Sequence, residues 1–253
     1  MQDEFDPNQS DPINISPDLG APDEPQSSNP APTVEPLSPA SDELEDEALF
    51  ATAEEPVNRI KRGDEVNLTL KDPTIRNINI GVGWDLKAFD TNPLDLDASM
   101  FLLDKNELTR EDEDFVFYNS MMGANGAAKH MGDNRTGAGD GDDEILTLEL
   151  NTLPYEVTKV SFILSIYDET FQDHNFSMVK NVFFRISNVE TDHELFRYEL
   201  DEELNSEHEG LIIGQLERIG NEWVFTAVGE TVEGGLYTIA KNYGIVVAED
   251  AQA

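Results

Sequence analysis

Residues 132–144 read GDNRTGAGDGDDE and concentrate oxygen-bearing side chains in one short segment. Five acidic residues and four glycines fall within these thirteen positions. Like charges at this spacing repel, so clustering them raises their pKa values or requires a counter-charge. Ca²⁺ takes about six to eight oxygens from carboxylates, amides and backbone carbonyls, and flexible glycines let carbonyls turn toward an ion. The segment therefore predicts a binding site for a hard cation.

A second group of aspartates lies at the ends of apolar runs. In LDLDAS, Asp95 and Asp97 are two residues apart, so on an extended strand they share a face. Asp85 follows the run INIGVGW, and Asp168 follows VSFILSIY. Because strand ends gather at the edges of a sandwich, we expect these carboxylates to meet the glycine-rich segment. The division into two groups favours two Ca²⁺ ions over one.

The acidic segment is not an EF-hand. Asp133 to Glu144 spans the twelve residues of such a loop, with the expected first and last residues. However, Arg135 stands at the third position, and Ala138 replaces the glycine of the sixth. The next run, EILTLEL, alternates like a strand, whereas an EF-hand requires a helix there.

Catalytic chemistry is disfavoured. Paired carboxylates also serve glycosidases, but here the acidic residues are numerous and concentrated on glycine-rich segments. The chain has no GxSxG motif, GAGDGD lacks the lysine of a phosphate-binding loop, and no two histidines have H-x-x-x-H spacing. The absence of cysteine excludes thiolate nucleophiles and disulfides. We expect no enzyme, and an Mg²⁺- or Ca²⁺-dependent hydrolase stays as an alternative.

The elements that would position these residues are mostly strands. Alternation with period two, together with β-branched and aromatic residues, predicts about ten short strands and a two-sheet β-sandwich. In EVNLTL, the pattern places Val66, Leu68 and Leu70 on one strand face. A short C-terminal helix is predicted by the spacing of four residues, Leu236, Ile239, Ala240 and Tyr243.

Composition divides the chain near residue 56. Ten of the thirteen prolines lie between Pro7 and Pro56, and no lysine or arginine precedes Arg59. We predict a disordered acidic tail over residues 1–56 and a folded β-sandwich domain over residues 57–249. Within the tail, residues 41–53 read SDELEDEALFATA, which fits either a solvated acidic linker or a short helical docking motif.

Charge limits the partners. The chain carries 53 acidic and 16 basic residues, a formal net charge of −37. This field repels phosphate, so we expect neither nucleic acid nor an anionic membrane surface as a partner. Cations and basic proteins are the partners that this charge favours. No signal peptide and no apolar run of about 18 residues is apparent, so we expect a cytoplasmic protein without an integral membrane segment.

Taken in order, many of these stretches resemble the TerD family of tellurium-resistance and stress proteins. The shared stretches, which run from about Arg59 to Val247, are GVGWD, LDLDAS, DFVFYN, GDN-TGAGDGDDE, IYD, RYEL, EW-F-AVG and GGL…YG. The resemblance implies a calcium-binding β-sandwich in which acidic loops hold the metal. The positions that match are Asp85, Asp95, Asp97, Asp133, Asn134, Thr136, Asp140, Gly141, Asp143 and Glu144. The acidic tail is a departure from the family pattern.

These observations predict a non-enzymatic, calcium-binding stress-response protein. Its partners would be other stress-response proteins, contacted through the metal-loaded loop edge or through the acidic tail. One alternative is a scaffold whose tail recruits basic partners. A further alternative is adaptation to high salt, in which the excess of acidic residues serves solubility.

Overall fold

The computed structural model describes residues 58–86, 94–132, 141–166, 174–204 and 207–247. These residues belong to one unit of the chain, residues 51–253, and they form two β-sheets with a short helix near the C-terminus. In chain order, the strands are β1 (Arg59–Ile60), β2 (Glu65–Asn67), β3 (Asn77–Leu86), β4 (Leu96–Leu103), β5 (Phe115–Val116), β6 (Met122–Gly123), β7 (Ala128–His130), β8 (Glu144–Glu149), β9 (Lys159–Ile166), β10 (Val179–Asn188), β11 (His193–Glu199), β12 (Gly210–Ile219) and β13 (Glu222–Val232). The helices are α1 (Leu68–Lys71) and α2 (Gly235–Asn242), and three 3₁₀ turns lie at Asp112–Asp114, Ala124–Gly126 and Phe176–Met178.

Sheet A contains seven strands in the order β1-β11-β10-β3-β8-β7-β6, and sheet B contains six in the order β2-β13-β12-β9-β4-β5. Neighbouring strands are antiparallel except β1 and β11, which pair in parallel. The predicted fold class, a two-sheet β-sandwich with a short C-terminal helix, is confirmed.

The core lies between the sheets. In β3, Ile78, Ile80, Val82 and Trp84 are buried, as their alternation predicts. Aromatic side chains fill the middle of the core, where Phe184 of sheet A stacks on Phe225 of sheet B with ring centroids 5.4 Å apart. Such pairs add to the stability that burial of the rings already provides.

Helix α2 gives sheet B a second apolar layer. Ile239 and Ala240 of the helix pack with Phe101 and Ile163 on the outer face of the sheet. Strand β9 is therefore buried on both faces, including its serines. Just beyond the helix, the hydroxyl group of Tyr243 lies 2.9 Å from Ser161 Oγ, which gives this serine a hydrogen-bond partner.

The prediction of one strand through EVNLTL is wrong in its second half. Strand β2 ends at Asn67, whose side-chain oxygen accepts a hydrogen bond from Leu70 N at 2.9 Å and caps α1. The turn of helix leaves Leu70 68% exposed, while Leu68 is buried. In the shared stretch DFVFYN, Phe115 and Val116 form the short strand β5.

Two predictions concern other parts of the chain. The acidic tail, with its candidate helix at residues 41–53, lies outside the described residues. In the described ranges, no helix combines the length and the apolar character needed to cross a membrane.

Candidate metal centre at one edge of the sandwich

The candidate ligands lie where strands of both sheets begin or end. In sheet A, Leu86 at the end of β3 pairs with Val179 at the start of β10, and Glu144 begins the neighbouring β8. In sheet B, Leu96 at the start of β4 pairs with Ile166 at the end of β9. Among the described residues, the strand ends that carry Asp85 and Asp97 therefore lie at the same edge as Glu144.

Glu144 connects the two sheets at this edge. Its Oε2 accepts a hydrogen bond from the backbone N–H of Ala98 in β4 at 2.5 Å, and its side chain is buried. His130 Nε2 lies 3.7 Å from the same oxygen, beyond hydrogen-bonding distance. The other oxygen, Oε1, is buried and has no hydrogen-bond donor among the described residues. A buried acceptor without a donor is unfavourable, and a bound cation would satisfy it.

The segment before Glu144 continues along β3. Asp143 N donates to Val82 O at 2.8 Å, and Trp84 N donates to Asp143 Oδ2 at 2.8 Å. Asp143 is therefore fixed through its backbone and through one carboxylate oxygen. Burial raises the pKa of the Asp143 carboxyl, the Trp84 hydrogen bond lowers it, and the charges of Asp85 and Asp142 raise it further. A cation beside Asp143 would offset both the cost of burying its charge and the repulsion from Asp85 and Asp142.

Two glycines on the outer face of β3 make room for this segment. A Cβ atom on Gly81 would lie 2.3 Å from the carboxyl carbon of Asp142. One on Gly83 would lie 2.6 Å from the backbone oxygen of Gly141 and 2.4 Å from the ring of Phe183. The glycines of the GVGW stretch are therefore required by the close approach of the acidic segment.

Asp142 has an ionic partner of its own. Its two carboxylate oxygens accept hydrogen bonds from Arg185 Nε at 2.7 Å and Nη2 at 2.8 Å. Arg185 stands opposite Gly81 in the register of β10 and β3. The hydrogen bonds from Arg185 to Asp142 raise the guanidinium pKa far above its usual value. Arg185 was not among the predicted site residues.

The exposed carboxylate of Asp85 is held by a side chain from β10. Its Oδ2 accepts a hydrogen bond from Asn181 Nδ2 at 2.6 Å. Asn181 has a φ of +54° and lies at a bulge between Lys180 and Phe183. Asparagine tolerates this left-handed conformation better than most residues. Asn181 is thus a second residue of the site that sequence spacing did not indicate.

The structure describes six of the eleven predicted ligand residues and places all of them at this edge: Asp85, Asp95, Asp97, Gly141, Asp143 and Glu144. Asp97 is buried at the start of β4, next to the amide that binds Glu144. The other five, Asp133, Asn134, Thr136, Asp140 and Asp168, lie outside the described residues. Within the described ranges, no group of three or more His, Asp or Glu side chains is arranged to hold a metal ion.

Together, these features define a class of protein: a β-sandwich that holds the acidic residues of Gly141–Glu144 against β3 at one edge. The chain belongs to the TerD domain family, whose model matches residues 57–243. The resemblance found in the sequence is thereby confirmed.

Several relatives cover the same part of the chain. General stress protein 16U of Bacillus subtilis is 42% identical over 189 residues, covering 74% of this chain and 97% of the relative. Tellurium resistance protein TerD of Serratia marcescens is 40% identical over 186 residues, covering 74% and 96%. The crystal structure of a homologue of telluride resistance protein (TerD) from Streptomyces coelicolor, 17% identical, matches with a TM-score of 0.55 over 66% of this chain and 95% of that one. This last likeness concerns the fold.

Proposed function

We propose that this chain is a calcium-binding module of a stress response and that it acts by binding partners, not by catalysis. The observation that carries the proposal is the segment Gly141–Glu144, which β3 and β4 hold with several carboxylates at one edge. Repulsion among these carboxylates opposes their packing. Bound Ca²⁺ would supply the opposing positive charge.

The chemistry of the available donors fits this ion. The candidate ligands are carboxylate, amide, hydroxyl and backbone oxygens, which hard cations such as Ca²⁺ prefer, and the chain contains no cysteine. Asp97, Asp143 and Glu144 are the described residues that we expect to bind metal most directly. Oxygens from Asp133, Asp140 and Asp168, outside the described residues, would complete the ligand sets of two ions.

The protein's own residues prepare the edge for the ion. Trp84 N fixes one oxygen of Asp143, and Ala98 N fixes one oxygen of Glu144. These hydrogen bonds restrain both side chains, so little side-chain freedom remains to be lost on binding. Arg185 neutralises Asp142, which we do not expect to be a ligand.

The proposed physiological role follows the names of the relatives. General stress protein 16U and tellurium resistance protein TerD match nearly their whole lengths to this chain. We infer a role in resistance to toxic agents such as tellurite, exerted in the cytoplasm. A reducing cytoplasm fits a chain that contains no cysteine. The metal-loaded edge would then present an ordered surface to other stress-response proteins.

Thermal unfolding with and without Ca²⁺ tests the proposal. Ligands that bind only the folded state raise its stability, so millimolar Ca²⁺ should raise Tm, and excess chelator should reverse the rise. Glu144→Gln should shrink this rise because it removes charge from a proposed ligand. In metal-free protein, the same variant should not lower Tm, because the amide oxygen can still accept from Ala98 N.

Glu113→Gln is the matched control. Glu113 is an exposed residue in the 3₁₀ turn Asp112–Asp114, away from the acidic edge, and the change removes the same charge. It should leave the Ca²⁺-dependent rise intact. A Tm that Ca²⁺ does not change in the parent protein would falsify the proposal.

A further inference from the structure

Three arginines form a row across the outer face of sheet A. Arg59 of β1 is in register with Arg197 of β11, and Arg197 is in register with Arg185 of β10. Their neighbours Phe184 and Tyr198 are buried, so the arginines occupy the opposite, outer face. The whole chain has 16 basic residues and a net charge of −37. The row therefore gathers three of these basic residues on one face, where Glu199, Asp142 and Glu194 lie beside them.

The middle arginine differs from its neighbours in its partners. Arg59 forms an ion pair with Glu199, and Arg185 is bonded to Asp142. For Arg197, the nearest carboxylate oxygen among the described residues is Glu194 Oε2, 3.7 Å from Nε, which is too long for a hydrogen bond. The described part of the chain thus provides Arg197 with no hydrogen-bonded carboxylate.

Arg197 is nevertheless held in a defined orientation. Its guanidinium carbon lies 3.7 Å from the centroid of the Phe183 ring, a cation–π contact. Burial lowers the pKa of this guanidinium, and the positive charges of Arg59 and Arg185 lower it further, whereas Glu194 opposes them. An anion beside Arg197 would offset both the cost of burying its charge and the repulsion from Arg59 and Arg185.

A cavity of about 290 Å³ connects this arginine with the acidic edge. Arg197 and Phe183 line it together with Asp85, Asp143 and Glu199, and Gly141 also contributes to the lining. Three carboxylates and one guanidinium give this lining a net negative charge. A divalent cation bound beside Asp85 and Asp143 would cancel the charge of these two carboxylates. Because Glu199 already pairs with Arg59, the positive charge of Arg197 would then be left in the cavity.

We propose that this cavity binds a small oxyanion, of the phosphate or tellurite class, between Arg197 and the metal-loaded acidic edge. The proposal rests on the calcium-binding function inferred above. The planar guanidinium presents two parallel N–H donors that match the oxygens of such anions. Without metal, the carboxylates repel the ligand, so oxyanion binding depends on Ca²⁺. By thermodynamic reciprocity, the oxyanion should also tighten Ca²⁺ binding.

Calorimetric titration of the full chain tests this inference, with Ca²⁺ binding measured first and separately. Inorganic phosphate and tellurite are then titrated, below the solubility limits of their calcium salts, into Ca²⁺-saturated and chelator-treated protein. We expect binding only with Ca²⁺. Arg197→Gln should weaken oxyanion binding roughly tenfold or more, because it removes a charge-assisted hydrogen bond. The same change should leave the affinity for Ca²⁺ alone within about twofold of the parent value.

Two further variants separate a local role of Arg197 from a general loss of charge or structure. Arg218→Gln removes a guanidinium that stacks on Trp223 at the other end of the sandwich, and it should leave oxyanion affinity unchanged. Phe183→Leu keeps the charge of Arg197 but removes the ring that orients it, and it should weaken binding to an intermediate degree. Circular dichroism verifies that each variant folds.

The possible results distinguish the two proposals. If Ca²⁺ binds but neither oxyanion does, or if Arg197→Gln binds them as tightly as the parent, the oxyanion site is overturned and the calcium proposal stands. Equal oxyanion binding with and without Ca²⁺ also overturns it. If Ca²⁺ itself does not bind, both proposals fail. Tighter binding of tellurite than of phosphate, or the reverse, supports the site and identifies its preferred anion.

Discussion

Gly81 controls the position of a charged group through the absence of a side chain. The carboxyl carbon of Asp142 lies 2.3 Å from the position that a Cβ atom on Gly81 would take, and Arg185 holds the carboxylate there with two hydrogen bonds. The acidic segment can approach β3 only because this position is glycine. The contact lies on the outer face of the sheet, so it fixes the segment without disturbing the core.

Gly81→Ala should therefore displace Asp142 from Arg185. We expect a loss of about 1–3 kcal/mol in the free energy of unfolding, because the pair breaks and the segment must shift. Urea denaturation measures this loss. In the background of Asp142→Ala, where the clashing carboxylate is absent, the same change should cost less. An equal cost in both backgrounds would mean that Asp142 does not determine the requirement for glycine.

At the scale of single residues, the sequence indicated candidate ligands, which stay a prediction, but not the residues that hold them in place. Asp143 and Glu144 were recognisable because acidic residues and glycines cluster around them in the chain. Arg185 was not, because it lies 43 residues from Asp142, and only the pairing of β10 with β3 brings them together. The glycines of GVGW were seen as part of a family motif, but the contact that requires them depends on the same tertiary pairing.

Among the elements, α2 has an effect larger than its eight residues suggest. It covers the outer face of sheet B, where Phe101 and Ile163 would otherwise be exposed to solvent. The sequence predicted the helix from its apolar spacing. It did not predict where the helix packs, because the spacing identifies an apolar face but not the surface that this face contacts.

Tyr243→Phe tests the attachment of the C-terminal region to β9. The change removes the hydroxyl that lies 2.9 Å from Ser161 Oγ and leaves a buried serine without that partner. We expect the free energy of unfolding to fall by about 1 kcal/mol. Tyr237→Phe in α2 is the control, since Tyr237 is 39% exposed and its change should alter stability little. Chemical denaturation compares the two; equal effects would indicate that the buried hydrogen bond adds no stability.

The misread segment EVNLTL shows where alternation fails as a guide. Val66, Leu68 and Leu70 have the spacing of a strand face, but Asn67 between them caps a helical turn. Asparagine side chains compete for backbone N–H groups in this way, and one such bond decides the structure of a four-residue element. Longer strands such as β3 and β9 are predicted more reliably, because many residues contribute to their alternation and one local hydrogen bond does not change it.

For the whole molecule, charge is the dominant feature. A net charge of −37 on 253 residues creates self-repulsion that opposes the compact state, most strongly where carboxylates cluster. The composition also indicates a class of partner, namely cations or basic surfaces, and this stays a prediction. The sandwich and the family were predictable from the order of many short motifs. The complete ligand set stays a prediction, since Asp133, Asn134, Thr136, Asp140 and Asp168 lie outside the described residues.

Monovalent salt should therefore stabilise the metal-free protein more than the Ca²⁺-loaded protein. Raising ionic strength to about 0.15 M shortens the screening length to about 8 Å and weakens repulsion between exposed carboxylates. Tm should rise with NaCl in the presence of chelator and rise less when Ca²⁺ is bound. Choline chloride should act like NaCl, because screening depends on ionic strength and not on the cation. The same salt response in both forms would show that the clustered carboxylates do not dominate it.

The hydrogen bond between Glu144 and Ala98 has a mechanical consequence for the two layers. It joins the first residue of β8 to the backbone of β4, so sliding of one sheet over the other would stretch or break it. Asp97 belongs to one layer, and Asp143 immediately precedes the strand of the other. The distance between these acidic residues of different layers is thus restrained against shear by a hydrogen bond between the sheets.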